Sequence, residues 1–143
     1  MKTALDMMYL SNSPNIKIAF NSLCGYASVN HLHFHLYYQS HRLPVQTAAL
    51  QHLKKNLFFL PEETYPAPAW VWLLERSDFS QVSETAEDVI KLTRWLGHQD
   101  TAHNVFITRS VSLSQFIKQH FRFLLLGALH RLGRQVLLMI TLE

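Results

Sequence analysis

The sequence predicts an α+β fold, because short β-type runs and helix-like segments follow one another along a single chain. Its 143 residues, 48% of them hydrophobic and 16% charged, suffice for one buried core and exclude a disordered tail or a fibre. The net charge is only +3, and the basic residues are scattered, which argues against a nucleic-acid-binding stripe. The single cysteine, Cys24, excludes an internal disulfide and favours a reducing compartment.

The first sixty residues contain one predicted helix and two predicted strands. Residues 4–10 form the helix, which ends where Ser, Asn and Pro follow at 11–14. Residues 16–20 are a β-type run, and the Asn, Ser and Gly of 21–25 favour a turn. Residues 27–38 predict one long strand, because their aliphatic and aromatic members suit a half-buried pleated surface.

A proline-rich segment at 61–68 marks the best boundary between two parts of the chain. Beyond it, the apolar run at 69–74 predicts a strand. The remaining predicted elements are a strand at 104–108, a helix at 111–132 and a last strand at 135–142.

A longer helix is predicted between these strands. Asp78 and Gln81 have the spacing of a capping box at its start. Apolar residues then follow a spacing of three to four as far as Leu96, which is typical of a helix with one buried face. Gly97 is a candidate for the left-handed residue that ends it.

The sequence does not predict a targeting or membrane-spanning segment. Its first fifteen residues lack the apolar centre of a signal peptide. The apolar run at 121–129 is shorter than the about 20 residues that a bilayer span requires. We therefore expect a soluble, cytoplasmic protein.

The chemical signal lies in residues 31–37, HLHFHLY, where three histidines alternate strictly with apolar residues. On a strand, alternate side chains point to one face and lie about 6.5–7 Å apart. The three imidazoles would then line one polar face, and the leucines and the phenylalanine between them would pack on the core. A single strand histidine is more often structural, but three in strict alternation favour a functional site. These residues are His31, His33 and His35.

Two kinds of chemistry suit this row. Imidazole is a common zinc ligand, and two strand histidines can share one ion. That interpretation needs further ligands, for which the candidates are Glu62, Glu63 and His41. Alternatively, neutral imidazole is a good nucleophile at phosphorus, with its neighbours orienting it and supplying a proton to the leaving oxygen.

Residues 31–37 also match the alternating signature of the histidine triad superfamily of nucleotidyl transferases and hydrolases. The longer run at 20–38, FNSLCGYASVNHLHFHLYY, is more specific and resembles the animal GDP-D-glucose phosphorylase family. Plant relatives are similar here but carry Gln at the position of His35. Residues 41–45 (HRLPV) and 102–109 (AHNVFITR) extend the resemblance, which covers about residues 1–109.

The resemblance implies a reaction and a set of site residues. His33 would attack the α-phosphorus of a GDP-hexose to form a guanylyl-histidine, which inorganic phosphate would then convert to GDP. His35 would contact the phosphate or leaving-group oxygens, and His31 would orient the site. Ser28 and Asn21 match residues that contact phosphate. No metal or other cofactor is implied, since imidazole and backbone N–H groups can supply the electrostatics.

The chain departs from the family in its extent. The histidine triad strand comes unusually early, and the sequence after 109 does not match. We therefore predict a truncated, HIT-like antiparallel sheet with helices, in which residues 1–60 form the C-terminal part of a catalytic unit. Residues 61–143 would be an incomplete second half-unit with a divergent tail after 109. A chain of this kind could instead be a catalytically dead fragment that associates with other copies or chains through exposed apolar edges.

Overall fold

A computed structural model describes residues 1–23, 25, 27–75, 78–109 and 136–142, the last range by its backbone and the Ile140 side chain. The predicted helix at 111–132 and the side chain of Cys24 lie outside these ranges. The elements in chain order are α1 (Lys2–Leu10), β1 (Ile16–Asn21), β2 (His35–Tyr38), a 3₁₀ turn (Pro44–Gln46), β3 (Gln51–Lys54), β4 (Leu57–Leu60), β5 (Ala69–Leu74), α2 (Ser80–His98), β6 (His103–Arg109) and β7 (Val136–Leu142).

The strands form one seven-stranded sheet in the order β2-β1-β6-β7-β5-β4-β3. The strands β2, β1 and β6 pair antiparallel, and so do β5, β4 and β3. Between these two units lies β7, which runs parallel to both of its neighbours. Helices beside such a sheet confirm the predicted α+β class. The parallel pairing of β7 departs from the antiparallel sheet that we expected, because side-chain alternation does not encode strand direction.

The main core lies between the two helices and one face of the sheet. On α2, the buried residues recur every three or four positions, so that one side of the helix packs inward. We call this cluster the helix-side core; its members include Leu5, Met8, Ile18, Trp72, Leu74, Val82, Val89, Val105, Ile107 and Ile140. A smaller cluster, with Phe58, Val71 and Leu73 among its members, packs on the opposite face, because neighbouring residues of a strand point to opposite sides.

Most predicted elements are confirmed, and β5 has the predicted bounds. The two ends of α2 differ from the predicted start and stop of this helix. Asp78 accepts hydrogen bonds from the Ser80 backbone N–H (3.0 Å) and from the Gln81 side-chain amide (2.8 Å). The predicted bond from an early backbone N–H to Asp78 is confirmed, but Gln81 binds the carboxylate rather than a backbone N–H, so the reciprocal half of the predicted capping box is wrong. The Ser80 hydroxyl and the Gln81 side-chain amide, which both donate to this carboxylate, hold the pKa of Asp78 below its ordinary value.

The predicted stop at Gly97 is also wrong, since α2 continues through it to His98. The left-handed residue is Asp100, with φ 49°. Its N–H bonds the Gly97 carbonyl (3.1 Å), and the Thr101 N–H bonds the Leu96 carbonyl (2.9 Å). This is the Schellman arrangement, in which a short polar residue such as Asp can replace glycine.

Strands from both predicted parts of the chain lie in this sheet, with β1 beside β6. The segment at 61–68 connects β4 to β5. The division into 1–60 and 61–143 half-units stays a prediction. Within the ranges described above, no helix is long and apolar enough to cross a membrane.

Candidate active site

The predicted strand over residues 27–38 is wrong, because β2 contains only His35–Tyr38. The ladder between β1 and β2 ends at the pair Ala19–His35, and residues 28–31 form bends. β2 is an edge strand with β1 as its neighbour. Strand formation depends on such neighbours more than on side-chain preference, so the chain before His35 leaves the sheet.

The three imidazoles nevertheless come together, as predicted. The ring centroids of His31 and His33 are 4.9 Å apart, and those of His33 and His35 are 4.7 Å apart. Strand spacing would have separated them by about 6.5–7 Å. The bends therefore produce a tighter cluster than the predicted row. We call these three side chains the histidine cluster.

Hydrogen bonds constrain which ring nitrogens of the histidine cluster can carry hydrogen. Nδ1 of His33 lies 3.0 Å from the carbonyl oxygen of His31, and since a carbonyl only accepts, this nitrogen carries the hydrogen. In the neutral ring, Nε2 of His33 then has the free lone pair. Nε2 of His35 lies 3.1 Å from it and donates its hydrogen to that lone pair. The network thus assigns an acceptor role to His33 and a donor role to His35.

The histidine cluster is accessible to solvent, and the neighbouring Phe34 side chain attaches it to the core. His33 is half-buried, while His31 and His35 are exposed. Phe34 packs against the helix-side core, with its ring 5.4 Å from that of Phe20. The prediction that the leucines would pack inward is wrong: Leu32 is 81% exposed and Leu36 40%. Leu32 precedes β2, and Leu36 lies on an edge strand, so a single aromatic anchors the cluster.

Of the two predicted phosphate contacts, Asn21 lies at the start of the loop between β1 and β2, and Ser28 lies within that loop. Asn21 is the last residue of β1, half-buried and paired with Asn104 of β6. Ser28 lies in a bend three residues before His31, and its side chain is exposed. Their roles as phosphate contacts stay predictions.

The sequence analysis did not predict the contacts that hold this loop in place. The Ser22 N–H donates to the His103 carbonyl (3.0 Å), and the His103 N–H donates to the Ser22 hydroxyl oxygen (2.9 Å). The Gly25 N–H in turn bonds the Ser22 carbonyl (2.9 Å). This reciprocal pair, which we call the Ser22–His103 clamp, joins the start of the loop to β6. A local turn pattern at 21–25 was visible, but a partner 81 residues away was not.

Gly25 fits this clamp only without a side chain. A Cβ atom there would lie 2.7 Å from Oδ1 of Asn104 and 3.0 Å from the carbonyls of Ser22 and His103. We expect Gly25→Ala to lower the free energy of unfolding by about 1–3 kcal/mol, as overpacking does. Urea unfolding followed by fluorescence measures this.

Gly97→Ala is the matched control. An added Cβ there meets nothing within 4 Å, and Gly97 lies inside α2. Alanine should therefore raise the free energy of unfolding by about 0.5–1 kcal/mol through helix propensity. Equal changes in the two variants would contradict the close packing around Gly25.

The metal interpretation loses its further ligands in the structure. Glu62 and Glu63 are exposed in the turn after β4, and His41 is exposed after β2. Among the residues that the structure describes, no group of three His, Cys, Asp or Glu side chains is arranged to hold a metal ion.

Comparisons with known proteins agree with the sequence resemblance. Residues 1–37 match the family model "GDPGP1-like, N-terminal domain". GDP-D-glucose phosphorylase 1 of Xenopus laevis is 36% identical over 109 residues, which are 76% of this chain and 27% of that protein. The Homo sapiens protein of the same name is 35% identical over 109 residues, 76% of this chain and 28% of its own.

A plant relative matches over a shorter stretch. GDP-L-galactose phosphorylase 2 of Arabidopsis thaliana is 37% identical over 46 residues, which are 32% of this chain and 11% of that protein. The chain thus spans little more than a quarter of the length of the animal relatives named above. No solved structure matches it.

Proposed function

From the similarity of this chain to the GDP-D-glucose phosphorylases over 76% of its length, we propose that it carries their guanylyl-transfer site. The reaction is GDP-D-glucose plus phosphate to GDP plus D-glucose 1-phosphate. One observation supports this most strongly. The Nδ1 hydrogen of His33 is held by the His31 carbonyl at 3.0 Å, which leaves Nε2 as the nucleophilic atom.

In the first step, Nε2 of His33 attacks the α-phosphorus of GDP-D-glucose. A nitrogen–phosphorus bond forms, and the bond from the α-phosphorus to the bridging oxygen breaks. The leaving group is D-glucose 1-phosphate. Nε2–H of His35, 3.1 Å from the nucleophile, is placed to turn toward the leaving oxygen and protonate it, as a general acid does.

In the second step, an oxygen of inorganic phosphate attacks the guanylyl-histidine. The nitrogen–phosphorus bond breaks, His33 regains its lone pair, and GDP is released. The proton lost by the attacking phosphate can return to His35, which restores the starting state. Ser28 and Asn21 would bind the phosphate oxygens during both steps, where preorganised donors stabilise developing charge.

The extent of the chain bears on its rate. It spans 27% of the Xenopus laevis relative, and holding a substrate in place contributes several kcal/mol to a catalysed reaction. We therefore expect this chain alone to form the guanylyl adduct slowly while keeping the site of attachment.

Labelling the protein tests this proposal directly. The purified chain is incubated with GDP-D-glucose labelled in the guanosine moiety, and peptides are mapped by mass spectrometry. An acid-labile guanylyl group on His33 is expected, and adding phosphate should release it as GDP. The matched control is His98→Ala, an exposed histidine at the end of α2, which should label normally. A stable fold with no label, or a label elsewhere, would overturn the proposal.

A second candidate function, association through the sheet edge, has one observation in its favour. β2 lies at the end of the strand order, and all four of its residues are exposed. It contains no charged residue or proline, which natural edge strands commonly use to prevent pairing. The chain could therefore associate with another copy through β2 without catalysing a reaction.

We expect Tyr38→Lys to shift such an association toward monomer. Tyr38 is 66% exposed on β2, and a lysine there would oppose edge-to-edge pairing. Light scattering after size-exclusion chromatography, at several protein concentrations, gives the mass. Tyr38→Phe should behave as the parent chain. A parent chain that is monomeric at every concentration would remove this candidate.

A further inference from the structure

The backbone that carries His31 and His33 lies outside the strand ladder. The ladder between β1 and β2 ends at the pair Ala19–His35, so it does not position the residues before His35. Within the histidine cluster, Nδ1 of His33 bonds the His31 carbonyl, and Nε2 bonds the ring of His35. A hydrogen bond to one neighbouring ring fixes a distance but leaves the ring free to pivot. A further contact is therefore needed to orient His33.

The Phe34 side chain makes such a contact. It packs against the helix-side core, with its ring centroid 5.4 Å from that of Phe20. Favourable aromatic pairs have centroids about 4.5–7 Å apart. The neighbouring Leu32 is 81% exposed and does not share this task. Because the backbone of Phe34 is bonded to both His33 and His35, a displacement of its ring changes the angle between the two imidazoles.

Phe20 also contacts the other support of the loop. It lies in β1 and packs against the helix-side core, and its ring centroid is 6.4 Å from that of His103 at the start of β6. The backbone of His103 forms the Ser22–His103 clamp, which holds the chain two residues after Phe20. The start of the loop, through the clamp, and its end, through Phe34, thus meet at one ring.

We propose that Phe20 and Phe34 are positioning residues that hold His33 in the orientation which leaves its Nε2 lone pair available. Phe20 in addition transmits the position of the Ser22–His103 clamp to the histidine cluster. Each phenylalanine acts through His33 rather than on the substrate. The consequence for reaction rate rests on the proposed guanylyl transfer, whereas the orientation of the ring does not.

Phe20→Leu and Phe34→Leu test this, because leucine stays apolar but removes the contact between the two rings. Nitrogen–proton NMR correlations of isotope-labelled imidazoles, recorded in alkaline buffer, distinguish hydrogen on Nδ1 from hydrogen on Nε2. In the parent chain, His33 should carry its hydrogen on Nδ1, and in each variant it should populate both tautomers. The rate of guanylyl labelling should fall about tenfold, since a misplacement of about 1 Å can cost about 10²-fold.

Phe58→Leu is the matched control. Phe58 is 7% exposed in the smaller cluster, on the opposite face of the sheet from the helices. The same substitution there also removes buried atoms and lowers stability toward urea. It should leave both the His33 tautomer and the labelling rate as they are in the parent chain. The comparison therefore separates positioning of His33 from a general loss of stability.

Ser22→Ala tests the connection from the clamp through Phe20. This variant removes the hydroxyl oxygen that accepts the His103 N–H at 2.9 Å. It should shift the His33 tautomer in the same direction as Phe20→Leu does. Combined with Phe20→Leu it should add little, because coupled residues have non-additive effects.

A further measurement uses the parent chain alone. Nuclear Overhauser contacts should join the Phe20 ring to the rings of both Phe34 and His103, and their absence would overturn the inference. An unchanged His33 tautomer in Phe20→Leu and Phe34→Leu would do the same, and additive effects of Ser22→Ala and Phe20→Leu would remove the role of Phe20 in transmission. Tautomer shifts in a chain that is never labelled would instead contradict guanylyl transfer alone.

Discussion

Replacing His33 with alanine is expected to abolish formation of the guanylyl-protein from labelled GDP-D-glucose. The covalent step requires a lone pair on Nε2, and alanine supplies no nucleophile at that place. His33 is half-buried, and its ring contacts the rings of His31 and His35, the other members of the histidine cluster. Its removal should therefore leave the helix-side core intact, so that loss of label reports on chemistry and not on folding.

Variants of His35 should lower the rate of labelling, alanine more than glutamine. His35→Ala removes the proton donor 3.1 Å from the nucleophile, which typically costs about 10²–10⁴-fold in rate. His35→Gln keeps an N–H that can hydrogen-bond the leaving oxygen but cannot transfer a proton to it, so it should retain more activity than alanine and less than the parent. Initial rates of label incorporation should decrease in the order parent chain, His35→Gln, His35→Ala.

The control for these variants is that they fold as the parent chain does. Circular dichroism and urea unfolding should be the same for the parent chain and the His33 and His35 variants. The proposed role of His33 fails if His33→Ala retains the label on any histidine peptide. Equal rates for His35→Ala and the parent would remove the role of His35 as proton donor.

The largest effect on stability is expected from Leu74→Ala. Leu74 is 0% exposed in the helix-side core, at the end of β5 beside β7. Truncating a fully buried leucine removes its transfer free energy and leaves a cavity, and costs about 2–5 kcal/mol. For a chain of 143 residues, that is a large share of a total that is usually about 5–15 kcal/mol.

Leu32→Ala is the matched control, because it makes the same chemical change at a leucine that is 81% exposed. It should alter the free energy of unfolding by no more than about 0.5 kcal/mol. Fluorescence of Trp72, which is buried in the same core as Leu74, follows urea unfolding in both variants. Similar losses in the two would contradict the placement of Leu74 in the core.

The sequence was sufficient where short-range pattern decides structure. The apolar run at 69–74 predicted β5 with its bounds, and a three-to-four spacing predicted most of α2. The alternating histidines predicted that three imidazoles would lie together, and they do, with ring centroids 4.9 and 4.7 Å apart instead of the about 6.5–7 Å of a strand. In each case the signal lies within a few residues of the feature that it predicts.

Other features depended on partners that are far apart in sequence. Residues 27–34 have the composition of a strand, but the ladder with β1 ends at Ala19–His35, so they form the loop that brings the rings closer. The clamp between Ser22 and His103 joins residues 81 apart. The parallel position of β7 between β5 and β6 likewise has no local signature.

The sequence alone therefore determined which residue types are available for chemistry: three alternating histidines and the polar residues before them. Only the tertiary structure decided how those imidazoles face one another and which nitrogen of His33 holds its hydrogen. The physical reason is that side-chain chemistry is carried by the residue itself. Ring orientation instead depends on where the edge strand ends and on which backbone carbonyl lies within hydrogen-bonding distance.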